Sequence, residues 1–265
     1  MSRLTLSEIW VYPIKSLGGI SLPQARVMKK GLQYDRRWML IDEAGMFLTQ
    51  RVHPVMALFK TSIDDTHLIV RFKEHTLPLR LTPAYNPIPL TVTIWDDTVT
   101  AYEVSTEASA WFSRHMGMSC RLVYFPEENP RQVDPKYSPE GNHVSLADAY
   151  PLLIIGQSSL DDLNQRMSVP LPMNRFRPNL VFTGGEPYEE DTWRDFVVGA
   201  TRFIGVKPCA RCALPTINQD TAEKGQEPTR TLATYRRSEN KILFGQNVLT
   251  VDPAIVTVGE AITLQ

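Results

Sequence analysis

Apolar and polar residues alternate along short stretches of this chain, and proline, glycine and acidic turns separate them. Residues 4–12 have the period of two of a half-buried strand and close on Pro13. Arg36 to Asp42 and Met46 to Arg51 predict a hairpin, with its loop at residues 43–45. Further strands are predicted over 57–63, 67–72, 77–81, 90–95 and 99–104, with Asp96 and Asp97 turning the chain between the last two. One stretch changes period. Ala108, Trp111, Phe112 and His115 form a single helical stripe from Ser105 to Gly117, with a capping residue before it and a glycine at its end. A strand follows over 121–125.

Residues 126–142 are polar, rich in proline and without period, which marks a linker or long loop. A boundary is placed at its start, giving parts 1–125 and 126–265. The second part opens with a buried strand over 150–155. Ser158 and Asp161 then form a capping box into a helix that carries Leu160, Leu163 and Met167. Strands over 180–183, 196–198 and 201–206, a short helix over 230–236, and a closing run from Val256 to Leu264 complete the pattern. Many short strands with few helices predict a mainly β fold with peripheral helices (α+β), in barrels or sandwiches.

Composition narrows the class. The 265 residues are 43% hydrophobic and 22% charged, as in a globular protein with a sizeable core. A net charge of −1 argues against nucleic-acid polymers and membrane surfaces as partners. Charge precedes any apolar run at the N-terminus, so no signal peptide is expected, and no apolar run is long enough for a bilayer. Three cysteines are too few for a disulfide framework, which favours a reducing, cytoplasmic location.

Two of those cysteines, Cys209 and Cys212, stand two residues apart between Pro208 and Pro215. Lys207 and Arg211 are cations of the kind that stabilise a thiolate. Four readings fit such a pair: ordinary loop cysteines, a zinc site, a thiol redox pair, or one thiolate on a softer metal or metallo-cofactor. Zinc wants four ligands, and neither Cys120 nor the scattered histidines lie at ligand spacing. Basic corners occur elsewhere, at Lys15-Ser16, Arg36-Arg37 and Arg175/Arg177. Phe176 separates the last two, whose side chains point the same way if that segment is extended. Converging, these corners would bind a phosphorylated ligand.

Val11 to Ser16, Asp35 to Trp38, Phe176 to Asn179, Cys209 to Cys212 and Phe244 to Asn247 stand in the order found in MOSC-domain proteins with an N-terminal MOSC β-barrel. From Leu4 to Leu264 the chain resembles the YcbX proteins and the amidoxime-reducing components of that family. The resemblance implies an N-terminal β-barrel domain at 1–125 packed on a MOSC β-barrel domain at 126–265. It implies molybdenum-molybdopterin as cofactor, with Cys212 as the metal ligand and catalytic centre. It assigns Lys15, Ser16 and Arg36 to the pterin phosphate. Arg177, Asn179, Ala210, Arg211 and Asn247 become cofactor-side residues, and Tyr150 contacts the cofactor through its backbone.

The implied activity is reduction of small N-hydroxylated compounds such as amidoximes, hydroxamic acids and N-hydroxylated nucleobases, a detoxification chemistry. The longer YcbX type continues into a ferredoxin-like module, whereas this chain stops at Gln265. Electrons are therefore expected from a separate ferredoxin-like, flavin reductase or cytochrome donor. A cofactor-carrier or sulfur-transfer role is the alternative, because MOSC domains also occur in molybdenum-cofactor sulfurases.

Overall fold

The computed structural model describes residues 3–138 and 141–265. Residues 139 and 140 of the polar run and the first two residues of the chain lie outside the described residues. Strands hold 40% of the chain and helices 15%, so the mainly β expectation is met.

The largest sheet has nine strands. From one edge it runs Ile262–Leu264, Asp195–Val198, Thr201–Ala210, Lys241–Thr250, Leu152–Gly156, Leu180–Thr183, Thr5–Val11 and Ile20–Leu22. Arg237–Ser238 pairs beside Lys241–Thr250. Among the described residues of this sheet, only Leu152–Gly156 and Leu180–Thr183 pair in parallel, which requires a crossover, and the helix Gln157–Gln165 lies in it. These two central strands are almost wholly apolar, the pattern of strands covered on both faces. Four further strands, Trp38–Ile41, Arg121–Tyr124, Asp97–Glu103 and Pro89–Ile94, make a second sheet. Two three-stranded sheets complete the fold: Lys60–Ile63 with His67–Phe72 and His75–Arg80, and Gln24–Met28 with Gly31–Leu32 and Ala254–Thr257.

Pairing crosses residue 125. Thr5–Val11 joins the large sheet by pairing with Leu180–Thr183, and Gln24–Met28 pairs with Ala254–Thr257. Two of the apolar cores follow this division of sheets. One gathers Leu6, Ile9, Ile154, Phe182, Trp193 and Phe203 around the large sheet. The other gathers Trp38, Phe59, Phe72, Phe112 and Leu122 in the N-terminal part.

The helix Thr106–Met116 matches its sequence signature closely. Ser105 accepts from the Ala108 amide at 3.1 Å, and Gly117 ends the helix in the left-handed conformation.

Other expectations are corrected. The helix after Gly156 starts two residues early, and no side chain caps it. Ser159 is instead drawn to buried Glu190, and a capping box at Ser158 does not form. Residues 54–58 form a 3-10 turn before the strand Lys60–Ile63. Met46 and Phe47 make single bridges rather than a full hairpin arm. The helix expected over 230–236 is the single turn Thr229–Leu232.

Candidate functional site

Lys15, Ser16, Arg36, Tyr150, Arg177, Asn179, Ala210, Arg211, Cys212 and Asn247 all line one cleft, together with Cys209 and residues 147–149. The cleft is enclosed by the end of the first strand, the turn before Trp38, the segment after Phe176 and the end of Thr201–Ala210.

Its backbone is unusual at three points. Ser16, Arg36 and Arg177 adopt positive φ values of 68°, 49° and 56°. Non-glycine residues there are strained by about 1–3 kcal/mol each and persist only where the surroundings impose them. Tyr12 supplies part of that imposition. Its buried ring has the Arg36 guanidinium 4.4 Å and the Arg177 guanidinium 4.1 Å from its centroid, and its hydroxyl donates to Pro178 O at 3.1 Å. Asp35, fully buried, accepts from the Tyr12 amide at 2.8 Å and from Arg36 Nη1 at 2.5 Å. Burial raises the Tyr12 hydroxyl above its ordinary pKa, against the pull of Arg177 and Arg36.

The cations differ in how far they are satisfied. Lys15 Nζ donates to Asp148 Oδ1 at 2.6 Å and Leu146 O at 2.8 Å. Burial pushes Lys15 below the ordinary lysine value, against Asp148. Burial works to raise Asp148, but Lys15 and the Trp95 indole overcome it and hold the carboxyl well below the usual carboxylate range. Arg177 Nη1 donates to Leu17 O at 2.7 Å, while its Nη2 is buried without an acceptor. Burial pushes this guanidinium down to about 10, so it stays charged at neutral pH. Arg211 Nη2 donates to Phe176 O at 2.8 Å, and its buried Nε has no acceptor. Two arginines beside one cleft thus carry unsatisfied donors, a costly arrangement in a closed interior and a useful one for binding an anion.

The thiols are not equivalent. The strand Thr201–Ala210 runs further than the sequence suggests and carries Pro208 and Cys209 at its end, with irregular register between Pro208 and Ala210. Cys209 is half-buried, packs against the cluster containing Phe176 and Phe244, and its sulfur receives Arg211 Nη1 at 3.3 Å. Cys212 lies past the strand and is exposed. Among the described residues, no group of three or more His, Cys, Asp and Glu is placed to hold a metal ion.

Three of the basic residues named from the sequence do not join the cleft. Lys207 Nζ sits over the Tyr137 ring, 3.5 Å from its centroid. Arg37 turns to Glu127, with Nε 2.9 Å from Oε2. Arg175 lies in the 3-10 turn Met173–Arg175, not in an extended segment, and its Nε donates to Pro215 O at 2.8 Å. Arg175 and Arg177 therefore diverge. Sequence reasoning missed Tyr12, Asp35 and Asp148. Tyr12 and Asp35 lie inside the stretches Val11 to Ser16 and Asp35 to Trp38 but have no role assigned there, and Asp148 carries no signal.

The N-terminal MOSC β-barrel family model matches residues 3–119, and the MOSC domain model matches residues 141–263. Mitochondrial amidoxime-reducing component 1 of Mus musculus is 33% identical, over 98% of this chain and 82% of its own length. Mitochondrial amidoxime reducing component 2 of Bos taurus is 32% identical, over 88% and 72%. Molybdenum cofactor sulfurase of Arabidopsis thaliana is also 32% identical, over 91% of this chain, which spans 32% of that protein. Two MOSC-type domains on a mainly β scaffold with a cation-lined, thiol-bearing cleft define the class. The chain belongs to the MOSC-domain family that includes the amidoxime-reducing components.

Proposed function

We propose that this protein binds molybdenum-molybdopterin in the cleft and reduces small N-hydroxylated compounds with electrons from a separate redox protein. The observation that carries this reading is the meeting of one exposed thiol, Cys212, with Lys15, Arg36, Arg177 and Arg211 in one cleft. A pterin dithiolene already brings two soft sulfurs, so a single thiolate suffices where a zinc site needs four ligands. The unsatisfied donors on Arg177 and Arg211 suit an anionic, heteroatom-rich group.

In this reading Cys212 ligates the metal. Lys15, Ser16 and Arg36 hold the phosphate, and Arg177, Asn179, Ala210, Arg211 and Asn247 line the pterin, with Tyr150 contributing its backbone. The bound group supplies two-electron chemistry that cleaves an N–O bond. Overall an N–OH group, two electrons and two protons give an N–H group and water. The chain's own part is to fix the cofactor's anionic end and leave Cys212 reachable. Parts 1–125 and 126–265 act as one unit, because the cleft draws residues from both. The names of the amidoxime-reducing relatives support the substrate class.

A carrier or sulfur-transfer role is the second reading, favoured by the match to the sulfurases. Protein purified from a host that makes molybdopterin separates the two. Reductase function predicts molybdenum in the protein and oxidation of reduced methyl viologen only when an amidoxime is added. Bound molybdenum without amidoxime-dependent oxidation favours the carrier.

A further inference from the structure

Two buried glutamines, 169 positions apart, bond each other through both amide groups. Gln50 Nε2 donates to Gln219 Oε1 at 3.2 Å, and Gln219 Nε2 donates back to Gln50 Oε1 at 3.0 Å. Each nitrogen has one further N–H. That of Gln50 goes to Ser16 O at 2.7 Å, and that of Gln219 to Ile217 O at 3.0 Å. All four donors and both acceptors of the pair are thereby used. Neither glutamine lines the cleft.

The pair joins two elements that do line it. Ser16, at a φ of 68°, belongs to one wall. Three successive carbonyls of that wall are held by side chains: Ser16 O by Gln50, Leu17 O by Arg177 Nη1 at 2.7 Å, and Gly18 O by Thr61 Oγ1 at 2.9 Å. Gln219 belongs to the segment that leaves Cys212. There Pro215 O accepts from Arg175 Nε at 2.8 Å, and Lys60 Nζ donates to Gln219 O at 2.6 Å and to Asp220 Oδ1 at 2.9 Å. On the other side of Cys212, the Arg211 amide donates to Ile242 O at 2.7 Å. Only Ala213 separates Cys212 from the 3-10 turn Leu214–Thr216. The place of the thiol therefore follows from these anchors.

We infer that Gln50, acting through Gln219, is the positioning residue that sets the separation between the wall carrying Lys15 and Ser16 and the loop carrying Cys212. It touches no ligand. The inference rests on the proposed function: one cofactor must reach the phosphate-binding wall and the thiol at once, so the span between them has to match its length. Gln50 comes from the first part of the chain, which on this account registers the thiol as well as contributing cations. An apolar side chain at position 50 would leave the Gln219 amide buried and without its partner, a costly state that the loop escapes only by shifting.

Hydrogen–deuterium exchange of the cofactor-free protein reads the linkage directly. In Gln50→Leu, two groups of hydrogen-bonded amides should exchange about tenfold faster or more: Leu17 with Gly18, and Thr216 with Ile217 and Asn218. In Gln219→Leu only the second group should respond, because Gln50 keeps Ser16 O. Gln50→Met, of similar length, replaces Gln50→Leu should the latter fail to fold. In molybdenum-loaded protein, the electron paramagnetic resonance signal of the one-electron-reduced metal should shift in both variants, since it reports how the sulfur approaches.

A purely structural pair would lower Tm with faster exchange throughout the chain, and would leave the resonance signal at its wild-type position. Either result overturns the inference, as does a Gln50→Leu protein in which only one of the two groups loosens. A wild type that holds no molybdenum would sink the proposed function alone. The exchange pattern would still decide whether Gln50 links the wall to the loop.

Discussion

Arg36 donates through Nη1 to Asn179 Oδ1 at 3.0 Å, across 143 positions of sequence. Asn179 in turn gives its Nδ2 to Trp10 O at 3.1 Å, and its own amide bonds Leu153 O. This contact ties the turn before Trp38 to the segment before Leu180–Thr183. It fixes Arg36 next to Arg177, on the ring of Tyr12. Two like charges are thereby held together before any ligand arrives, with Asp35 as the nearest counter-charge.

An anionic ligand relieves that repulsion, so the pair should govern cofactor retention. Arg177→Gln removes a buried cation with an unsatisfied nitrogen. Losing one charge-assisted contact costs about 1.5–3 kcal/mol, or roughly 10–100-fold in affinity. Pterin and molybdenum per chain should fall in Arg177→Gln and Arg36→Gln. Far-UV circular dichroism should stay unchanged. Full retention in both variants contradicts the assignment of the cleft.

Glu190 predicts a pH dependence of stability unrelated to the cleft. It is fully buried, and burial raises its carboxyl from 4.5 to about 7, against hydrogen bonds from the Gly156 amide and Ser159. Between those values the folded state binds a proton that the unfolded chain has released. This contribution is therefore most favourable below about pH 4.5, declines as pH rises to about 7, and is constant above. The span is about 3 kcal/mol at most. Urea midpoints across that window should show the decline in the wild type, and Glu190→Gln should flatten it.

Gly205 tests how tightly the cysteine-bearing strand is seated. A Cβ at this position would lie 2.1 Å from Trp193 O, which is backbone and cannot swing aside. Gly205→Ala should cost on the order of 3 kcal/mol, at the high end for overpacking. It should also disturb Cys209 and Ala210 further along the same strand. A neutral effect on the urea midpoint would mean that the strand shifts freely, which the bonding of Gln246 Nε2 to Trp193 O at 3.1 Å opposes.

Much of this was legible in the sequence, for local reasons. Ser105 and Gly117 bracket a helix whose stripe needs no tertiary help. The alternation in His67–Phe72 survives because that strand has one better-buried face, whereas a register shift between Leu6 and Glu8 moves the buried set of Thr5–Val11 to Leu6, Ile9 and Val11. The pairing of Thr5–Val11 with the second half was not legible, since strand partners carry no local mark. The capping box at Ser158 gave way because the buried Glu190 carboxyl needs Ser159 Oγ and the Gly156 amide. The sequence predicts a strand over 201–206, yet pairing runs on to Ala210 past Pro208, with a register irregularity beside the proline. The basic corners were visible as residue types. Which of them converge was set by turns, and a 3-10 turn sends Arg175 one way and Arg177 the other.

The central claim is that Cys212, and not Cys209, holds the metal. Cys209 is half-buried on a strand with its sulfur engaged by Arg211, whereas Cys212 is exposed in the same cleft. A second protein thiolate would crowd a metal that already carries two dithiolene sulfurs. Molybdenum per chain and amidoxime-dependent turnover, measured for Cys212→Ala and Cys209→Ala, test this most directly. The account predicts folded proteins in both cases, with turnover abolished and metal depleted in Cys212→Ala and both largely kept in Cys209→Ala. Equal loss in the two variants would contradict it and make the pair a single thiol unit.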